Sequence, residues 1–265
     1  MNISYRSLVS GLCAIAPAIL LAFSSGASAQ SSSGPTNSPN PQRGGNSAND
    51  AGGFAQVYNS QRDYTARAAF LEDSQRQKES WDGAQHFADC AVGFNEQRVR
   101  DLLDQAVPSR KAPKLELDQF IKRNQGCVQV ASGLDRDFLR GAMAEAIIVA
   151  SSNRVTIPAS GNVESVKAFL AAVKAGSAKT DDPFVMGQLE AECRTGFAPI
   201  PVRSVLAMEA GSPAEKDALD ALKSVTPQCD SFKVADKPLS QWFERAFYAQ
   251  ALYHWVNFAP TLAKN

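Results

Sequence analysis

The chain has 265 residues, 27 Lys and Arg balanced by 27 Asp and Glu, and 44% hydrophobic residues. Balanced, dispersed charge excludes the basic stripe of a nucleic-acid-binding protein and the polybasic segment of an anionic-lipid binder. The length and apolar content are enough for a substantial core.

The first residues, MNISYRSLVSGLCAIAPAILLAFSSGASA, place Arg6 ahead of an apolar run from Leu8 to Phe23 and end on Ala27-Ser28-Ala29. A positive start, an apolar stretch and a small-x-small exit are the order of a secretory signal peptide, here residues 1–29. Ser10, Gly11 and Pro17 interrupt the run, which is short for a bilayer core of about 30 Å. Leu12 precedes Cys13, where a lipid-modified cysteine usually follows Gly or Ala. The leader therefore predicts cleavage after Ala29 and bacterial export to the periplasm or the medium, with no transmembrane segment in the mature chain. Cleavage removes Arg6 and no acid, leaving a net charge of −1. Residues 30–52 are mostly Ser, Asn, Gly and Pro. Such a stretch is too polar to offset the entropy of ordering and reads as a flexible linker of about 25 Å r.m.s. reach.

From residue 53 to 265 apolar residues recur at three and four, and helix-favouring residues dominate, so the fold class expected is all-α. The one strand-like fragment, Arg154 to Pro158, is too short to found a sheet. A helix is expected over 56–80. Next comes a helix ended by Gly93, with Gly at the left-handed C′ position, and then a helix holding Val99 to Val107. A long helix over 135–151 and a joining helix over 162–174 follow. A further helix ends at Gly196, and the next begins at Pro201 and holds Val202 to Met208. Another opens with Ser212 as N-cap, Pro213 at N1 and Glu215 completing a capping box. The last helix spans 238–257.

Two stretches of this domain, 83–151 and 186–258, state one pattern twice. Cys90 aligns with Cys193, Gly93-Phe94 with Gly196-Phe197, and Val99-Arg100 with Val202-Arg203. Leu103 aligns with Leu206, Leu117-Asp118 with Leu219-Asp220, Cys127 with Cys229, and Phe138 with Phe243. The reading is two tandem four-helix pseudo-repeats. Four cysteines remain after cleavage and allow three connectivities. Each repeat owns one pair, and an up-down-up arrangement brings its members to one pole. Cys90–Cys127 and Cys193–Cys229 are thus the expected disulfides, in keeping with an oxidising compartment.

The candidates for chemistry are few. His86 stands four residues before Cys90, a ligand-like spacing, but the disulfide claims Cys90 and the aligned residue Leu189 is apolar. His254 aligns with Val149 and reads as a packing position. No C-x-x-C, G-x-S-x-G or phosphate-cradling glycine loop occurs, and no catalytic residue, metal or cofactor is assigned. Charged positions recur at Asp89/Glu192, Asp118/Asp220, Arg100/Arg203 and Arg140/Arg245. They read as ion pairs that orient helices, with Asp89 and Glu192 as the expected partners of Arg140 and Arg245. The last helix carries an apolar stripe through Leu239, Phe243, Phe247 and Ala251 and a second through Trp242, Ala246, Ala249, Tyr253 and Val256. Its aromatics are buried on both sides or, through Trp242, Tyr248, Tyr253 and Trp255, form a surface for a partner or a homodimer.

These residues leave two functional readings. One is an exported, non-catalytic helical-repeat module that binds a protein or cell-envelope component. The other is an exported hydrolase using an Asp or Glu general base.

Overall fold

The computed structural model describes residues 70–104, 113–128, 134–151, 156–174, 182–232 and 239–262. The signal peptide and linker expected from the sequence, and most of the helix expected over 56–80, lie outside these residues. The secondary structure of the described residues is helical, with no strand among them.

Helix α1, Ser74–Asp104, is interrupted at Asn95, whose φ of −153° and ψ of 62° are not helical. The sequence places the stop at Gly93; the chain turns two residues later. Asn95 explains the restart. Its side-chain oxygen accepts from the Arg98 backbone N–H at 3.2 Å, so it caps the helical segment that follows. Helix α2, Pro113–Arg123, leads into a 3₁₀ turn, Gln125–Cys127. Helix α3, Arg136–Ala150, is capped by Asp135, which accepts from the backbone N–H groups of Asp137 and Phe138. Helix α4, Val163–Lys174, follows.

Helix α5, Pro183–Phe197, and helix α6, Pro199–Leu206, meet at Ala198, with φ −140° and ψ 58°. Gly196 lies inside α5 and has no left-handed conformation; Gly211 is the positive-φ glycine among the described residues. Gly196 is small because a Cβ there would stand 2.9 Å from Val166 of α4. Helix α7, Pro213–Val225, opens on Ser212, which accepts from the Glu215 N–H at 3.1 Å. Glu215 reaches back to the N–H of Gly211 at 2.6 Å, one residue before the box expected from the sequence. A 3₁₀ turn, Pro227–Phe232, and the 22-residue helix α8, Gln241–Leu262, complete the order.

Two disulfides tie helices to the 3₁₀ turns. Cys90–Cys127 joins α1 to the first turn and Cys193–Cys229 joins α5 to the second, with Cα atoms 5.6 and 5.8 Å apart. These are the pairs expected from the sequence. Each closes a loop whose entropy in the unfolded chain is worth about 4 kcal/mol in the loop-closure model.

Helices α3 and α8 form the centre. Every residue of α3 from Phe138 to Ile148 is buried, and α8 is buried from Arg245 to Tyr253. Helices without a solvent face are enclosed by others. The Phe138 and Phe243 rings meet here with centroids 4.5 Å apart. A smaller cluster gathers Val166 and Phe169 of α4 with Trp255 and the Cys193–Cys229 bridge.

The backbones of α3 and α8 meet at Gly141, where a Cβ would stand 2.5 Å from the Ala246 Cα. Gly141→Ala should therefore destabilise the fold by about 1–3 kcal/mol through overpacking. At Gly93 a Cβ would meet nothing within 4 Å, and Gly93→Ala should gain about 0.5–1 kcal/mol from helix propensity. Urea unfolding followed by circular dichroism measures both; equal effects would contradict the packing described.

Candidate functional site

The strongest charged constellation is built on Arg245, which α8 carries into the interior at 2% exposure. Its Nη2 and Nε donate to the two carboxylate oxygens of Glu145 on α3, at 2.6 and 3.0 Å. Its Nη1 donates to Glu215 of α7 at 2.6 Å and to the Met208 carbonyl at 3.2 Å. Its Nη2 also donates to the Leu206 carbonyl at 2.9 Å, at the end of α6. A guanidinium has five N–H donors, and these five bonds use them all. The guanidinium carbon lies 5.8 Å from the Trp81 ring centre, a cation–π distance. The second oxygen of Glu215 is engaged too, by the Gln241 side-chain amide at 2.6 Å and by Gly211. Burial pushes the Glu145 carboxyl above its ordinary value, and the bond and charge of Arg245 pull against that rise.

Arg140 makes a related set of bonds from α3. It donates to the carbonyls of Leu102 and Leu103 at 3.0 and 3.3 Å, near the end of α1, and to the Gln250 side-chain oxygen at 3.3 Å. Burial lowers its pKa, with the charges of Asp137 and Tyr253 opposing. Both arginines thus meet the orphan carbonyls and negative end of a helix dipole. The arrangement is reciprocal. Glu145, five residues beyond Arg140, holds Arg245; Gln250, five residues beyond Arg245, holds Arg140.

The expected carboxylates stand elsewhere. Asp89 is exposed on α1. Glu192 is fully buried and accepts from Gln188 Nε2 at 2.8 Å, with His254 Nδ1 at 2.7 Å. Arg100 pairs with Glu96 at 2.6 Å and donates to the Ser151 hydroxyl at 2.9 Å. Arg203 is exposed on α6. Asp118 meets Arg136 at 3.1 Å, and Asp220 meets Lys216 at 2.9 Å. His86 is half-buried beside the disulfide-bonded Cys90. Among the described residues no group of three or more His, Cys, Asp or Glu is placed to hold a metal ion.

Trp242, Tyr248, Tyr253 and Trp255 are 8, 2, 3 and 1% exposed. The aromatic side of the last helix is covered by the chain's own helices, so these four side chains offer no surface to a partner. Tyr253 also donates to Asp104 at 2.7 Å, tying α8 to the end of α1.

Arg194 is a buried cation that sequence reasoning missed. It donates to Glu190 at 2.9 Å, to the Lys223 and Thr226 carbonyls at 3.1 and 2.8 Å, and to Asp230 at 2.7 Å. It fastens α5 to the end of α7 and to the second 3₁₀ turn. Its aligned residue in the other stretch is Ala91, so a search for charges that recur passes over it. Its place beside Cys193 was the available signal.

Comparison of the chain with known protein families, curated proteins and solved structures found no match.

The chemistry of the Arg245 constellation is that of a clamp, with its donors and both carboxylates engaged by the fold. Arg245→Ala leaves Glu145 and Glu215 buried without their cation and should cost about 3–5 kcal/mol. Arg203→Ala, on the exposed face of α6, should change stability by less than about 0.5 kcal/mol. Chemical denaturation of both variants checks the contrast, and an unchanged midpoint for Arg245→Ala would refute the clamp.

Proposed function

We propose that the chain is an exported, non-catalytic helical module of two tandem repeats that binds a protein or a cell-envelope component. The observation that carries this reading is the full engagement of Arg245, Glu145 and Glu215 by one another and by helix ends. The Arg245 cluster serves the joint between the helices, and every carboxylate oxygen in it already accepts a hydrogen bond from the protein itself.

The two-repeat reading draws support from residues that meet their own counterparts. At an offset of 105 residues, Phe138 corresponds to Phe243 and Gly141 to Ala246, and each touches its counterpart. A residue contacts its own equivalent when it lies at a twofold axis, as in an isologous interface. The crossed Arg140–Gln250 and Arg245–Glu145 bonds obey the same operation. At an offset of 103, Trp81 corresponds to Phe184 and Asn95 to Ala198. Trp81 packs on Phe138 at 5.8 Å and Phe184 on Phe243 at 5.1 Å. Asn95 and Ala198 interrupt their helices with similar backbone angles.

Export draws support from the leader and from two disulfides, bonds that persist in oxidising compartments. No helix among the described residues is long and apolar enough to cross a membrane.

The test uses the chain beginning at Gln30, tagged and cross-linked in the envelope fraction of its native cell. A cross-linked component that, once purified, binds the chain saturably in calorimetry is the expected result. Hydrolysis of envelope material by the wild type that Glu145→Gln or Glu192→Gln abolishes, with no saturable complex, would overturn the reading in favour of the hydrolase.

A further inference from the structure

The second of the two aligned stretches holds a polar pair that the first lacks. Glu192 of α5 is fully buried, and its Oε1 lies 2.7 Å from Nδ1 of His254 on α8. Gln188, one turn earlier on α5, donates to the same oxygen at 2.8 Å. The other oxygen, Oε2, is sealed from water and meets no donor among the described residues. The charge of this carboxylate is therefore answered through Oε1 alone, by an amide and an imidazole.

At the aligned positions the first stretch has Asp89 and Val149. Asp89 faces water, and Val149 is 64% exposed. Helices α1 and α3, which carry them, pack together without such a bond. Burying a carboxylate is costly, and the packing of the aligned helix pair does not call for one.

The pair is arranged for chemistry. An ionised carboxylate only accepts, so Nδ1 carries the ring proton and Nε2 of the neutral ring keeps its lone pair. Nε2 makes no hydrogen bond within the described residues and is not sealed from water, the His254 side chain being 16% exposed. A carboxylate on one ring nitrogen fixes the tautomer and makes the other nitrogen more basic. Away from water that polarisation is strong. The buried end of the pair thus supplies electron density, and the open end presents it.

We infer that Nε2 of His254 is a nucleophilic site that takes an acyl group from an electrophile with an activated acyl carbon, with Glu192 as the residue that positions and polarises the ring. The Nε2 lone pair forms the bond to the acyl carbon. The bond from that carbon to the leaving oxygen breaks, and the leaving group keeps the electron pair. The acylated ring then carries one proton too many, and Nδ1 passes it to the Glu192 carboxylate. One acyl group per chain requires no turnover, so this reactivity is independent of the partner-binding reading.

The probe is diethyl pyrocarbonate, which transfers an ethoxycarbonyl group to a ring nitrogen and releases monoethyl carbonate. It is added to the intact oxidised protein in mildly alkaline buffer, where an ordinary imidazole is neutral. Peptide mass spectrometry follows modification at each histidine. His86 is the internal reference, half-buried like His254 and bonded to no carboxylate among the described residues. His254 should react about tenfold faster than His86, and urea with a reductant should bring the two rates together. Glu192→Gln keeps an accepting oxygen and removes the charge. It should slow His254 about tenfold and leave His86 unchanged. A variant that merely loosened the fold would speed both histidines, so the two effects differ in sign. Should Glu192→Gln not fold, the wild-type comparison in and out of urea decides alone. His254 reacting no faster than His86 in the folded wild type would overturn the inference. So would a difference that persists in urea, or a His254 rate in folded Glu192→Gln equal to that of the wild type.

Discussion

The arrangement of helices depends on one guanidinium. Arg245 is taken out of water on α8 and meets two carboxylates, two carbonyls and an aromatic ring, contributed by α1, α3, α6 and the chain that follows it, and α7. A buried ion pair adds little net stability when set against an apolar replacement of the same shape, because desolvation offsets attraction. Its effect is on which arrangement is allowed. Any sliding of α8 along α3 parts Arg245 from Glu145 and leaves the Glu145 carboxylate buried without its cation. Shape adds to charge at the same place, because Gly141 lets the two backbones approach and Ala246 fills the space left.

The helical class and both disulfides were legible in the sequence. Helical periodicity reports burial directly, and cysteines 37 and 36 residues apart within similar stretches have an obvious pairing. Helix ends were less legible. Gly93 and Gly196 resemble C′ glycines in isolation, but Asn95 and Ala198 make the turns, since an Asn that caps the next segment and a proline that opens it act on the following helix. At Gly196 the glycine answers a tertiary demand, the closeness of Val166, that lies in no local pattern.

The partners of the arginines were not legible, for a physical reason. Recurrence singled out Asp89 and Glu192 because acids occupy both positions. The bonds cross between stretches instead, and the residues that make them, Glu145 and Gln250, differ in charge. An amide and a carboxylate both accept a hydrogen bond from an arginine, so geometry is kept while the charge pattern is lost. The aromatics of the last helix follow similar logic. Their number reflects enclosure on every side by α1, α3, α5, α6 and α4.

The order of the bridges along the chain has a consequence for biogenesis. Both cysteines of the first bridge precede both cysteines of the second. A chain threaded from its N-terminus into an oxidising space offers Cys90 and Cys127 before Cys193 appears. Once residues 1–29, which carry Cys13, are cleaved as the proposed export requires, an oxidant that joins thiols strictly in order of arrival makes the native set, with no wrong pairing to be reshuffled by an isomerase.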